Sequence, residues 1–541
     1  MLKRIMILGL SLCAAASVFP VQATDQGARL DTRQIILRLK DDGVRHIQAL
    51  RSSEVVPGIT MPDGRPLTLV RQFDGNGLVL RLPEAVSLQE AQAIAARLVA
   101  DSSVISAQAD KRMYPTLDPS DPGYPLGDVL PPDNILSGQW NLFEDVGGIR
   151  MQTAWDRETG SPAGVIAQLD TGIVQHRDLD PGRILSGYDF ITDIATANDG
   201  DARDPDPTDP GDATVADECE PGMPGVNSSW HGLSVASIMV AESNNIFDIA
   251  GIDFAASLLP VRVLGKCGGS VSDVADALRW AAGLSVTGVP DNSTPARVIN
   301  MSLSGAGSCT LEEQNAINAA VDAGAVVIVS AGNEGGDVAD HSPANCLDVN
   351  LVVVGATQRD GSRAPYTNSG DKVDLSAPGG LTSNSDPNDP DGLNDPDGLL
   401  VLTNSGTVNA DPLGSTTRRI AGSSFSTAQA SAVASLMLAV NSSLSSGQVG
   451  DILRQTTRAF PDASCNTNEC GSGILDADAA LAGAADPTSV LGSSVNVSGG
   501  GGSCSIAATA ASGFDPLFLL LVILVARRCW QRRMYVFPPA G

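Results

Sequence analysis

The chain has 541 residues, 43% of them hydrophobic, and sets 62 Asp and Glu against 34 Lys and Arg, a formal net charge of −28. That length exceeds what one core needs and predicts several units. A chain this acidic has no general field to draw it to nucleic acid or anionic lipid, which excludes those partner classes and suits solubility outside the cell or bound cations.

Segment 1–23 reads as a secretory signal peptide. Lys3 and Arg4 precede an apolar run over 5–19, and Val21-Gln22-Ala23 supplies small residues for a cut after Ala23. Residues 24–115 predict a small α+β domain, with apolar runs at 35–37 and 78–80, helical spacing over 86–100 and a strand at 104–109. Residues 116–136 have the Pro, Gly and Asp content of an exposed linker. From 137 to 485 short apolar strands alternate with helices. Strands are predicted at 165–169, 258–264, 298–303, 326–330 and 351–354. A helix over 272–282 stops at Gly283, and a second opens on the Thr310/Glu313 capping box and stops at Gly324. This alternation predicts a parallel sheet with helices on both faces. An acidic loop over 189–220 and an Asp-Pro loop over 386–397 interrupt it. A Gly/Ser-rich linker covers 486–503. In the tail, 504–541, an apolar run ends at Arg527, Arg528, Arg532 and Arg533 and is long enough to span a membrane.

In an exported chain the cysteines read as disulfides. Cys219, Cys267, Cys309, Cys346, Cys465 and Cys470 form the even set outside the two end segments. Their pairing stays open, although Cys465 and Cys470 are close enough to bridge locally. No Cys/His group has zinc-like spacing.

Four residues carry a chemical pattern. Asp170 follows a predicted strand in Asp170-Thr171-Gly172-Ile173. His231 opens a helical run in Trp230-His231-Gly232. Asn333 follows a strand in Ala331-Gly332-Asn333-Glu334-Gly335. Ser424 heads a helical run in Gly422-Ser423-Ser424-Phe425. Each alone has an ordinary reading: turn Asp, structural His, turn Asn, helix-cap Ser. Together they supply a hydroxyl nucleophile, an imidazole base, a carboxylate to orient it and an oxyanion donor.

Nine segments in this order, from 139 to about 482, resemble the catalytic domain of subtilisin-like serine proteases (subtilases, peptidase family S8). Besides the four above they include Gln139-Trp140-Asn141-Leu142, His176-Arg177-Asp178-Leu179, Pro260-Val261-Arg262-Val263-Leu264, Asn300-Met301-Ser302-Leu303 and Ala377-Pro378-Gly379-Gly380. The resemblance implies an α/β, three-layer subtilisin-like fold. It implies Ser424 as nucleophile, His231 as base and acid, Asp170 as its partner, and Asn333 in the oxyanion hole. Ser302, Leu303, Ser304 and Gly305, with Ser330, Ala331 and Gly332, would bind an extended peptide. Residues 24–115 would be an inhibitory propeptide, and the partners would be protein or peptide substrates and that propeptide. No cofactor is needed for such chemistry; structural Ca²⁺ is allowed, with its ligands unassigned. The tail is similar to bacterial sorting tails, which implies a C-terminal sorting protease as partner and a place outside the cell or on its surface. Two stretches depart from the family pattern: His231-Gly232-Leu233-Ser234-Val235-Ala236-Ser237, and Gly422 to Gln429, where Phe425, Ala428 and Gln429 stand at usual Met, Pro and His positions. They motivate an alternative reading, a catalytically weak surface binding module on the same fold.

Overall fold

The computed structural model describes residues 31–40, 52–110 apart from 62, 74 and 75, 119–124, and 138–492 apart from 348, 349, 383–394 and 462. The signal-like segment, most of the first linker, and the tail from 493 onward lie outside the described residues. Among the described residues no helix is long and apolar enough to cross a membrane.

The N-terminal part is an antiparallel sheet of five strands: β1 (Asp31–Leu39), β2 (Val55–Thr60), β3 (Pro66–Phe73), β4 (Gly77–Ser87) and β5 (Val104–Ala109), in the order β2-β3-β4-β1-β5. Helix α1 (Leu88–Leu98) packs Ala91, Ile94 and Leu98 on the face formed by Ile35, Leu37, Leu69 and Leu80. Alternate residues of β1 point inward, as a one-sided sheet requires. The sequence predicts β1, β4, α1 and β5 but not β2 and β3. Strand β2 contains Pro57-Gly58, a turn signal, and the inward alternation of β3 rests on just Leu67 and Leu69.

The larger part is built on seven parallel strands. They are β6 (Val165–Asp170), β7 (Tyr188–Asp189), β8 (Ser257–Arg262), β9 (Val298–Met301), β10 (Val326–Ser330), β11 (Leu351–Thr357) and β12 (Leu375–Pro378), in the order β12-β11-β10-β9-β6-β8-β7. Successive residues feed opposite cores. In β10, Val326 and Ile328 face helices α2 (His231–Val240) and α5 (Ser423–Val440). Val327 and Val329 face α3 (Val271–Ala281) and α4 (Leu311–Asp322). This is the expected three-layer arrangement. Thr310 caps α4 in the predicted box with Glu313. Among the described residues three disulfides form: Cys219–Cys267, Cys309–Cys346 and the local Cys465–Cys470.

Helix α5 runs under the middle of the sheet and is buried over most of its length. Its Leu436, 0% exposed, sits among strand and helix side chains of one core. Leu436→Ala is expected to lower unfolding stability by about 2–5 kcal/mol in urea titrations. An unchanged midpoint would mean that α5 is not anchored as described.

Candidate active site

The carboxyl ends of the central strands meet two helix N-termini, a usual place for chemistry in an open parallel sheet. Asp170 ends β6, and its backbone carbonyl accepts from Val263 (2.9 Å) and Leu264 (3.1 Å) just past β8. Its buried carboxylate takes the Thr171 N–H at 2.7 Å and lies 2.7 Å from Nδ1 of His231. With Nδ1 committed to Asp170, the ring presents Nε2 for proton transfer. Burial disfavours the charged imidazolium, and Arg418 adds to this. The charge and hydrogen bond of Asp170 outweigh both, so the ring is held above its ordinary pKa.

The His231 loop is fixed by close backbone contact. Trp230 adopts a left-handed conformation (φ 49°), and its indole donates to the Gly406 carbonyl at 2.7 Å. Gly232 donates to the Thr171 hydroxyl (3.0 Å), which in turn donates to Asp209 (2.7 Å). A Cβ on Gly232 would fall 2.0 Å from the Gly172 carbonyl oxygen, so no side chain fits there.

Ser424 is the second residue of α5. Its carbonyl accepts from the Ser302 hydroxyl at 2.8 Å, and its own hydroxyl reaches the Ser302 carbonyl at 3.3 Å. Ser423 anchors the helix end. Its N–H (2.9 Å) and hydroxyl (2.8 Å) both donate to Oδ1 of Asn333, which turns Nδ2 of that amide out as a donor. The Ser330 hydroxyl lies 2.6 Å from that of Ser423 and accepts from Gly332 N–H, whose φ of +97° suits glycine. His231, Ser424, Asn333, Ser302 and Thr171 line one cleft of about 420 Å³. The predicted four residues are thus brought together.

The predicted peptide-binding residues divide. Ser302 lines the cleft, Leu303 and Ser304 are half-buried, and Gly305 is exposed on a short bridge to Ser342. Ser330 and Ala331 lie buried beneath, with the Ser330 side chain turned to Ser423 and Gly332. The departures from the family pattern are accommodated. The Phe425 ring stands 5.9 Å from that of His231, tilted 50°, and Gln429 donates to the carbonyls of Pro378 (2.6 Å) and Phe425 (3.1 Å). Ala428 is fully buried in the core of the helix. His176, the other histidine near Asp170 in sequence, bonds the Thr416 carbonyl (3.1 Å) and the Asp178 N–H (3.2 Å) and takes a structural place. Thr171 and Ser423 stood beside predicted residues and could have been found from that adjacency. Nothing in the sequence pointed to Asp209.

The subtilase family model matches residues 162–477. The extracellular protease of Xanthomonas campestris pv. campestris is 40% identical over 416 residues, 77% of this chain and 65% of that protein, so the chain spans just under two thirds of its length. The extracellular basic protease of Dichelobacter nodosus is 32% identical over 482 residues, 87% of this chain and 74% of that one. A solved structure of the proteases from Pseudoalteromonas arctica matches with 42% identity and a TM-score of 0.61, covering 68% of this chain and all of that one. With the family match over more than half its length, an open parallel sheet and an Asp–His pair beside a serine at a helix head, this chain belongs to the subtilase family.

Proposed function

We propose that the chain is a secreted serine endopeptidase, and the observation that carries this is the 2.7 Å Asp170–His231 bond on the cleft shared with Ser424 and Asn333. Ser424 Oγ attacks the peptide carbonyl carbon while His231 Nε2 takes its proton. The oxyanion is met by Asn333 Nδ2 and the Ser424 N–H. Collapse breaks the C–N bond as His231 returns the proton to the leaving amine. Water then attacks the acyl-enzyme, again through His231, and frees the acid and Ser424. Segments 302–305 and 330–332 pair with the extended substrate. Residues 24–115 act as a propeptide removed by a cut between about 110 and 137. Segment 1–23 directs export, in keeping with two relatives named extracellular, and the tail is the substrate of a sorting protease.

Subtilases need no cofactor for catalysis. Structural calcium is a separate matter. Among the described residues no three Asp, Glu, His or Cys side chains converge. In the acidic loop Asp199 bonds Arg262 (2.6 Å), Asp212 bonds Ser229 (2.6 Å) and Glu218 bonds Lys266 (3.0 Å). The better fit is Asp121 with Asp178. Both are buried, both accept hydrogen bonds from Asn245, and burial pushes both carboxyls up, Asp178 to about 7. A hard cation would sit among such oxygens and relieve the two charges.

Three measurements test these readings. Wild type should take a fluorophosphonate label and lose its propeptide; Ser424→Ala should do neither, and Asn333→Ala should label while turning over ~10²–10³-fold more slowly. No label on folded, propeptide-free wild type would sink the protease reading. A general base must be neutral, so kcat/KM should fall as pH drops through the raised pKa of His231. In Asp170→Asn that limb should move to lower pH with turnover down about 10⁴-fold; an unmoved limb would remove Asp170 from the pair. For calcium, a folded pKa above the unfolded value favours folding below about pH 4 and loses that contribution as pH rises through about 7. Chelation should therefore lower Tm at pH 8 far more than at pH 5, and Asp178→Asn should erase the difference. Equal Tm with and without Ca²⁺ at pH 8 would dismiss the site.

A further inference from the structure

The cleft has a second wall that the triad does not explain. It comes from the acidic insertion between Asp170 and His231 and from the turn after β8. Val215, Met223 and Val226 line it, together with Leu264 and the Cys219–Cys267 disulfide. Val215 is 70% exposed, Met223 51% and Val226 56%. Large apolar side chains in an otherwise acidic segment, left open to solvent against a cleft, mark a surface that something covers.

The wall is held in place. Thr214 and Val226 exchange backbone hydrogen bonds (3.0 and 3.1 Å), and Asp217 donates to the Met223 carbonyl (2.9 Å), so the insertion closes on itself as a narrow loop. Val215 N–H donates to Glu218 at 2.7 Å, and Glu218 pairs with Lys266 at 3.0 Å. The disulfide ties this loop to Cys267, in a turn closed by the Gly265 N–H donating to Gly268 at 2.9 Å. Leu264, just before that turn, donates its N–H to the Asp170 carbonyl. The apolar wall is therefore in rigid register with the reacting groups.

We propose that Val215, Met223 and Val226 form an apolar subsite that selects protein substrates with a large hydrophobic side chain close to the cut bond. Resting on the endopeptidase reading above, it names the substrate class of that same cleft. An extended peptide alternates its side chains. If one enters the Ser302–Gly305 side, its neighbour faces this opposite wall. The occupant is a substrate side chain rather than a separate partner, because the wall is continuous with the surface that carries His231 and Ser424. Asp212, a carboxylate of the same insertion in the lining, disfavours acidic residues there, while Glu218 is offset by its pair with Lys266.

The test is a paired-peptide assay on mature enzyme, each rate divided by the fraction of Ser424 that takes a fluorophosphonate label. Peptides differ at single positions flanking the cut, with Leu or Phe against Gly or Glu. The variants are Met223→Ser, Val215→Ser with Val226→Ser, and Leu413→Ser as a control: Leu413 is 93% exposed and is not part of the cleft lining. Expected is a loss of roughly tenfold or more in preference for the apolar peptide in the first two variants, carried mainly by KM, with the control unchanged. Cys219→Ser with Cys267→Ser should weaken the same preference. An unchanged preference in labelled Met223→Ser and Val215→Ser/Val226→Ser enzymes would overturn the subsite while leaving the endopeptidase reading intact. Absence of label in wild type would remove both.

Discussion

The Asp170 carboxylate is a charge held below the cleft, and the geometry of the site follows from how that charge is satisfied. An ionised carboxylate out of water is tolerable only with partners in place. Both partners fall on one oxygen: Oδ1 has the Thr171 N–H and the His231 ring, while Oδ2 is buried without a hydrogen-bond partner among the described residues. Thr171 then links the Asp170 and His231 loops, because its hydroxyl receives the Gly232 N–H and gives its own hydrogen to Asp209. Burial pushes the Asp209 carboxyl up to about 6, against the pull of that Thr171 hydrogen bond. The loops touch backbone to backbone at Gly172 and Gly232, so the Asp–His distance is set by main-chain contact and not by long side chains.

The serine side of the cleft relies on small polar groups. Helix α5 starts without a side-chain cap of its own. In place of one, Ser423 gives two hydrogen bonds to Asn333, and the Ser330 hydroxyl braces Ser423 from below. The same contacts that end the helix therefore aim the Asn333 amide. Phe425 stands tilted beside His231 at the usual methionine position, so the altered motif keeps a bulky neighbour near the imidazole. The binding-module alternative has no observation in its favour.

Five of the seven parallel strands were legible because buried parallel strands are short apolar runs that end abruptly at polar turns, and the four residues of the chemical pattern stood out at the ends of such runs or the heads of helical ones. Strands β7, two residues long, and β12, which holds Ser376 and Pro378, carry no such run and were not predicted. The boundary errors lie where the site begins. The predicted strand over 258–264 ends at Arg262, opposite the last residue of β6, because Val263 and Leu264 both give their N–H groups to that one carbonyl, Asp170, and the regular ladder stops there. The strand predicted over 298–303 ends at Met301, and Ser302 turns its hydroxyl to Ser424. Local pattern cannot register such long-range bonds. The same holds for Asp209, far from Thr171 in sequence, and for the Cys219–Cys267 pairing, which only the fold selects.

The acidity of the chain was read as a sign of solubility or bound cations, and the insertion shows a third use. Asp189 and Asp199 share the guanidinium of fully buried Arg262, and Asp273 and Asp276 share that of Arg203. From 211 to 229 the insertion has few buried apolar side chains, Ala213 among them, too few to fix its shape by packing. Its disulfide closes a sequence separation of 48 residues, for which the chain-entropy account gives about 4 kcal/mol. Charge pairs and this covalent tie take the role that a small core would otherwise fill. That leaves Val215, Met223 and Val226 free of any packing duty, so their placement on the cleft wall calls for a reason outside the stability of the loop itself.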